Sequence, residues 1–222
     1  MLKSIEDIEE RADKEGLKEP TLQALQQRLK TFNQLEDELN SHQHELQWLM
    51  DKAKQMAQKD ITLAPEIDKE INRLEATWED TKKLINEKQE QCCILVDLIK
   101  EYQSLKLAVT KVIENADNVT MTKSILKDQE DIRRALSKHE AVKNELNDRQ
   151  KELDAFTNKG KHLLAELKRI HNCDPMLMKT DMNSTVDKWL DVSERTEDNV
   201  EKLSVSVSLW DDVLTIGDEI DA

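Results

Sequence analysis

A chain of 222 residues is long enough for one or two ordinary domains, and three glycines and three prolines are far too few for the turns of a sheet protein. Charged residues make up 36% and aromatics 3%; because the apolar residues recur with helical period, this is the profile of long amphipathic helices and not of a disordered chain. The net charge of -14 excludes the basic surface that DNA, RNA or an anionic membrane requires, argues against direct binding to acidic actin filaments, and favours partners with basic surfaces.

Breakers divide the chain into helical stretches. Leu2, Ile5, Ile8 and Ala12 predict a helix over residues 1–15 that stops at Gly16. Residues 16–20 form a loop, and Thr21, just after Pro20, lies near the next helix start. The beat Leu25, Leu29, Phe32, Leu35, Leu39, His42, Leu46, Leu49, Ala53, Met56 predicts a helix over 21–58. Residues 59–64 form a loop, with Pro65 suited to a first helical turn. From Ile67 through Trp78, Ile85, Cys92, Leu95, Ile99, Tyr102 and Val109 to Ile113 the beat has no breaker. That predicts one helix of about 45–50 residues, roughly 70 Å long. A loop is expected at 116–121, then a helix over 123–171 on Ile132, Leu136, His139, Val142, Leu146, Arg149, Leu153, Phe156, Gly160 and Leu163. A loop containing Pro175 precedes a last helix over 181–221, whose seam runs from Met182 through Trp189 and Val200 to Leu214. Within it, residues 203–209 alternate like a strand; a lone strand would have no partner, so the helical seam prevails.

The two long leucine-rich helices skip a residue at the same place. Two consecutive steps of three, Leu29–Phe32–Leu35 and Leu136–His139–Val142, interrupt the alternation of threes and fours 107 positions apart. Such a stammer in both halves makes the chain a tandem repeat. Literal text agrees: Glu38-Leu39-Asn40 returns as Glu145-Leu146-Asn147, and Gln43 and Glu45-Leu46 return as Gln150 and Glu152-Leu153. Trp78 and Trp189 stand 111 positions apart, so four extra residues enter the second unit around 171–180.

Three helices per unit of just over 100 residues, with a tryptophan midway along the third helix and a helix shared between units, resemble the spectrin repeat. The resemblance implies an all-α fold of two spectrin-type three-helix bundles in tandem, joined by a continuous helix into an elongated rod. Repeat one would cover 1–90: helix A truncated at the start, loop 16–20, helix B 21–58, loop 59–64 and helix C from 65. Repeat two would cover 91–222, with helix A 91–115, helix B 123–171 and helix C 181–221. Trp78, Trp189, Leu39 and Leu146 are then core residues. The family's usual tryptophan in helix A is absent; Val109 lies near its place in repeat two.

Within that family the divergent, acidic repeats are most similar to those of the giant nesprins. That likeness implies a non-enzymatic rod and docking segment between the nuclear envelope and the actin cytoskeleton. It also implies neighbouring repeats of a longer parent chain, a place in the cytoplasm and cytoskeleton and, through the parent, at the outer nuclear membrane. The alternative is a passive elastic spacer of a dystrophin-like or plakin-like protein.

For chemistry the sequence offers little. His42, His44, His139, His162 and His171 have no matched Cys or carboxylate spacing, and no phosphate loop, nucleophile elbow or calcium loop occurs. We expect no catalytic, metal-binding or cofactor-binding residue. Cys92, Cys93 and Cys173 read as free thiols of a reducing compartment. The triplets at Asn118 and Asn183 match a glycosylation pattern that has no meaning there. There is no long apolar run and no signal peptide, so no direct membrane contact is expected. The chain begins and ends in helical pattern and reads as a piece of something longer, monomeric in solution.

Two apolar features need an explanation. Residues 92–99 are apolar around most of the helix. They are expected to be covered at the inter-repeat junction by Ile61, Leu63, Val119 and Met121. Trp48 lies about 200° round the helix from Leu46, away from the seam, among Asp37, Ser41, His44 and Gln55. An unexplained exposed aromatic points to a partner contact. Trp48, His44, Asp37 and Asp51 are the candidate contact residues, for a cytoskeletal regulator with a basic surface, formin-like by the nesprin resemblance.

Overall fold

The computed structural model describes residues 1–122 and 126–221, and side chains up to residue 217. Seven helices follow one another among the described residues: α1 (Leu2–Lys14), α2 (Leu22–Ser41), α3 (Gln43–Lys59), α4 (Ala64–Met121), α5 (Gln129–Asp148), α6 (Gln150–Leu167) and α7 (Met176–Asp221). They divide into two units. Unit 1 holds Met1–Lys100 and Leu163–Pro175; unit 2 holds Glu101–His162 and Met176–Ala222. No strand occurs among the described residues, and 203–209 is helical within α7.

Helix starts follow the local chemistry. Thr21 caps α2 by accepting a hydrogen bond from the Ala24 amide at 3.1 Å, and Asp128 caps α5 through the Asp131 amide at 2.8 Å. The start of the second helix B at residue 123 lies outside the described residues. The segment read as one helix over 21–58 is two helices, α2 and α3, parted at His42; α5 and α6 are parted at Arg149. His42 and Arg149 are 107 positions apart. At the first break the His42 amide turns back to the Leu39 carbonyl at 3.1 Å, a tighter 3₁₀-type bond. Both breaks lie seven residues beyond the end of the stammer, at Leu35 and Val142, so the backbone absorbs the phase step about two turns further on.

The loop expected at 116–121 does not exist. α4 runs through it for 58 residues in all, roughly 85 Å. Ala116 is buried, and the Thr120 hydroxyl donates back to the Ala116 carbonyl at 2.9 Å, so no residue before Thr122 stops the helix.

In unit 1, Ile5, Ile8 and Ala12 of α1 pack with Phe32, Leu35 and Leu39 of α2, Leu46 and Met50 of α3, and Ile71, Trp78 and Ile85 of α4. Each large aliphatic side chain removed from water in this way stabilises by about 1.5–3 kcal/mol. Arg28 is also inside, at 3% exposure. It donates to the Glu15 carbonyl at 3.2 Å, satisfying an orphan acceptor just past α1, and to Cys92 Sγ at 3.3 Å, while its guanidinium lies 4.9 Å from the Phe32 ring centre. Burial pushes the Cys92 thiol above its ordinary range, although Arg28 pulls the other way.

The cover expected for 92–99 is corrected by the structure. Ile61 is 83% and Met121 68% exposed, and Leu63 is also exposed. Along α4, Cys92 is roughly 40 Å from Ala64, so the 60–63 turn cannot reach it. Nor is the stretch covered all round: Cys92, Leu95, Leu98 and Ile99 are buried, but Cys93 and Ile94 are exposed. Within unit 1 the segment after α6 closes on the 16–20 loop. The Leu17 amide donates to the His171 carbonyl at 3.3 Å and the Asp174 amide to the Lys18 carbonyl at 3.4 Å.

Unit 2 is built on Val109, Val112 and Ala116 of α4, Ile132, Val142 and Leu146 of α5, Leu153 and Phe156 of α6, and Met182, Trp189 and Val192 of α7, all buried. His139 is buried too; its Nδ1 lies 2.8 Å from the Ala135 carbonyl, which can only accept, so Nδ1 carries the proton. Tyr102 stacks on Phe156 with ring centres 5.0 Å apart. A side chain on Gly160 would run into Met182 Sδ and meet the Tyr102 ring at 3.2 Å, so the absence of a Cβ lets these two close on α6.

Burial, reinforced by the Asp181 carboxylate 3.5 Å from its Oη, raises the Tyr102 phenol well above its ordinary range. The unfolded chain therefore releases this proton first, near pH 10. The stabilisation is complete below about pH 10 and is lost as pH rises through the range above it. Denaturant titrations from neutral to alkaline pH should show a smaller alkaline loss in Tyr102→Phe than in the parent.

Candidate partner-binding face

The outward side of α3 carries an aromatic residue that the bundle does not use. The 3–4 spacing turns Leu46 and Met50 inward, which turns Trp48 outward. Trp48 is 58% exposed, and no hydrogen bond, ion pair or ring contact of its side chain occurs among the described residues. In the second repeat its counterpart, 107 positions on, is Ala155, also exposed. An equivalent helix therefore folds without an aromatic there.

His44 and Asp51 lie four residues before and three after Trp48, on the same side of α3, and both are exposed. Asp51 accepts a hydrogen bond from Gln47 Nε2 at 3.1 Å. Asp37 is exposed on α2, across the break at His42, and no hydrogen bond joins it to the α3 group. Two nearby acids already have partners. Glu38 receives Arg11 Nη1 at 3.0 Å on both oxygens, and Glu45 lies 3.4 Å from His42 Nδ1. The face is thus acidic and open, with one large apolar surface at Trp48.

Trp78 and Trp189 are buried on α4 and α7, and Leu39 and Leu146 are buried on α2 and α5. Among the described residues no group of three His, Cys, Asp or Glu side chains is placed to hold a metal ion, and no helix is long and apolar enough to cross a membrane. Cys92, Cys93 and Cys173 are free thiols. A second apolar surface is invisible in the periodicity. Leu49, Ala53 and Met56 of α3 and Ile67, Ile71 and Leu74 of α4 line a groove of about 390 Å³ in unit 1. The seam pattern marks these residues as core, and nothing in it records whether a third helix covers them.

Helical bundles of this length, repeated in tandem and sharing one helix, define a class. The spectrin-repeat family matches the chain over residues 1–91 and 97–204, and the chain belongs to that family. Among individual proteins it is similar to human (Homo sapiens) nesprin-2, 28% identical over 221 residues and covering the whole chain, and to mouse (Mus musculus) nesprin-2 at 26%. The chain spans about 3% of the length of these curated relatives.

Proposed function

We propose that this chain is a non-enzymatic structural segment of a large nesprin-like linker between the nuclear envelope and the actin cytoskeleton, and that it docks a cytoskeletal regulator on the outward face of α2 and α3. Its place would be the cytoplasm and the outer nuclear membrane, through the parent protein. Membership in the spectrin-repeat family and similarity to a 3% stretch of nesprin-2 along the whole of this chain support the structural part.

Trp48 carries the docking part. Folding gains little from it, as the exposed Ala155 at the equivalent place argues, and it leaves apolar area in water for a partner to cover. Glu45 and Asp51 on either side of it along α3, and Asp37 further off on α2, on a chain of net charge -14, favour a basic partner surface. A formin-like regulator is the partner class that the nesprin likeness suggests.

Trp48→Ala should leave the melting temperature nearly unchanged and weaken binding to a basic formin-type fragment by about 1–2 kcal/mol. Added salt should weaken the parent complex. Calorimetric titration of both proteins checks this. Lost stability with unchanged binding would make Trp48 structural. No binding by either protein would leave the passive spacer.

A further inference from the structure

Given docking on the outward face of α2 and α3, on which this rests, we propose that the basic partner binds unit 1 alone, and that Asp37, His44, Trp48 and Asp51 are the residues by which it tells unit 1 from unit 2. Two helix pairs of the same build stand in one chain. α2 and α3 are parted at His42, and α5 and α6 are parted at Arg149, 107 positions on. The seam residues Leu39 and Leu46 return as Leu146 and Leu153, and all four are buried. The outward faces therefore present corresponding positions on a common framework, and what separates them is side-chain chemistry.

All four candidate contacts change between the two faces. Asp37 returns as Asn144, His44 as Lys151, Trp48 as Ala155 and Asp51 as Asn158, every one of them exposed. Each change removes something that a basic surface would use. Two carboxylates become amides, the one large apolar side chain becomes a methyl group, and a lysine replaces a histidine. Lys151 stands one helical turn before Ala155 on the same side of α6, so a cation lies beside the place where the partner's apolar contact would be.

The charge balance of the longer stretches points the same way. Residues 36–51 hold five carboxylates and no Lys or Arg. The corresponding residues 143–158 hold four carboxylates together with Lys143, Arg149 and Lys151. In unit 1, Arg11 of α1 neutralises one of the five, Glu38, at 3.0 Å. Exposed charges interact over about 8 Å at physiological salt, so a partner seated on one face senses that face and not the -14 of the whole chain. A basic surface placed on unit 2 would meet like charge and find no aromatic anchor. Selectivity thus has an attractive part in unit 1 and a repulsive part in unit 2.

Calorimetric titration of the full chain with the basic formin-type fragment should give one fragment per chain. Grafting the unit 1 residues onto unit 2, by Asn144→Asp, Lys151→His, Ala155→Trp and Asn158→Asp, should raise this to two, with the new site within about tenfold of the first and weakened by salt. All four positions are exposed, so the grafted chain should keep the helical melting curve of the unmodified one. Ala155→Trp alone should give a second site about tenfold or more weaker than the full graft, because Lys151 stays beside the indole. The reciprocal exchange in unit 1, Asp37→Asn with His44→Lys, Trp48→Ala and Asp51→Asn, should weaken the first site about thirtyfold or more. Two fragments on the unmodified chain, or one on the grafted chain, would overturn the selectivity and leave the docking reading standing. A second site from Ala155→Trp alone as tight as that of the full graft would overturn the part given to charge. No binding by the unmodified chain, or binding that survives the reciprocal exchange, would overturn the docking reading and this inference with it.

Discussion

Trp189→Ala should destabilise unit 2 by about 3–5 kcal/mol, and Trp78→Ala should do the same to unit 1. Both side chains are buried, Trp189 among the largest that are fully enclosed, so truncation removes a large apolar area and leaves a cavity that rigid neighbouring helices only partly fill. A loss of this size is a large share of the 5–15 kcal/mol that holds an ordinary domain together. Denaturant unfolding followed by helical circular dichroism reads it without depending on indole fluorescence. Either variant melting within a degree or two of the parent would show that its indole lies outside the bundle core.

Lys88→Pro should cost at least about 3 kcal/mol. Residue 88 lies well inside α4, between buried Ile85 and Cys92. Proline there removes the amide that bonds to the carbonyl of Leu84 and drives its ring into that carbonyl. Lys88→Ala is the control: it keeps the amide and favours helix. The proline variant should lose helical signal and unfold at lower denaturant, and the alanine variant should match the parent.

The helices were legible because their apolar residues keep a 3–4 beat over long runs, and so was the family, because that beat repeats with its stammer. The sites of the breaks were not. The skipped residues lie at Leu29–Leu35 and Leu136–Val142, but the backbone absorbs the phase change further on, at His42 and Arg149. The end of α4 was misread for a different reason. Ala116, Val119 and Thr120 carry no stop signal, and a threonine hydroxyl that bonds back to its own helix fits the interior as well as an end.

The cover of residues 92–99 failed because apolar residues in loops were matched by hydrophobicity alone. The length of α4 puts Ile61 tens of ångströms away, and Ile94 within the stretch is itself exposed. Arg28 gave no signal beyond a charge near the seam, yet it sits inside and satisfies a carbonyl just past α1. The groove at Leu49 and Ala53 was hidden because a seam looks the same in sequence whether or not a third helix lies over it.

An unbroken α4 that serves both units is the feature on which the structural role rests, and native-state hydrogen exchange reads it residue by residue. With α4 continuous from Ala64 to Met121, the amides from Leu95 to Val112 should all exchange slowly, with no gap where unit 1 gives way to unit 2 at Lys100 and Glu101. A run of fast-exchanging amides around Glu101, flanked by protected helix on both sides, would mean two helices joined by a flexible link and would contradict the shared-helix structure.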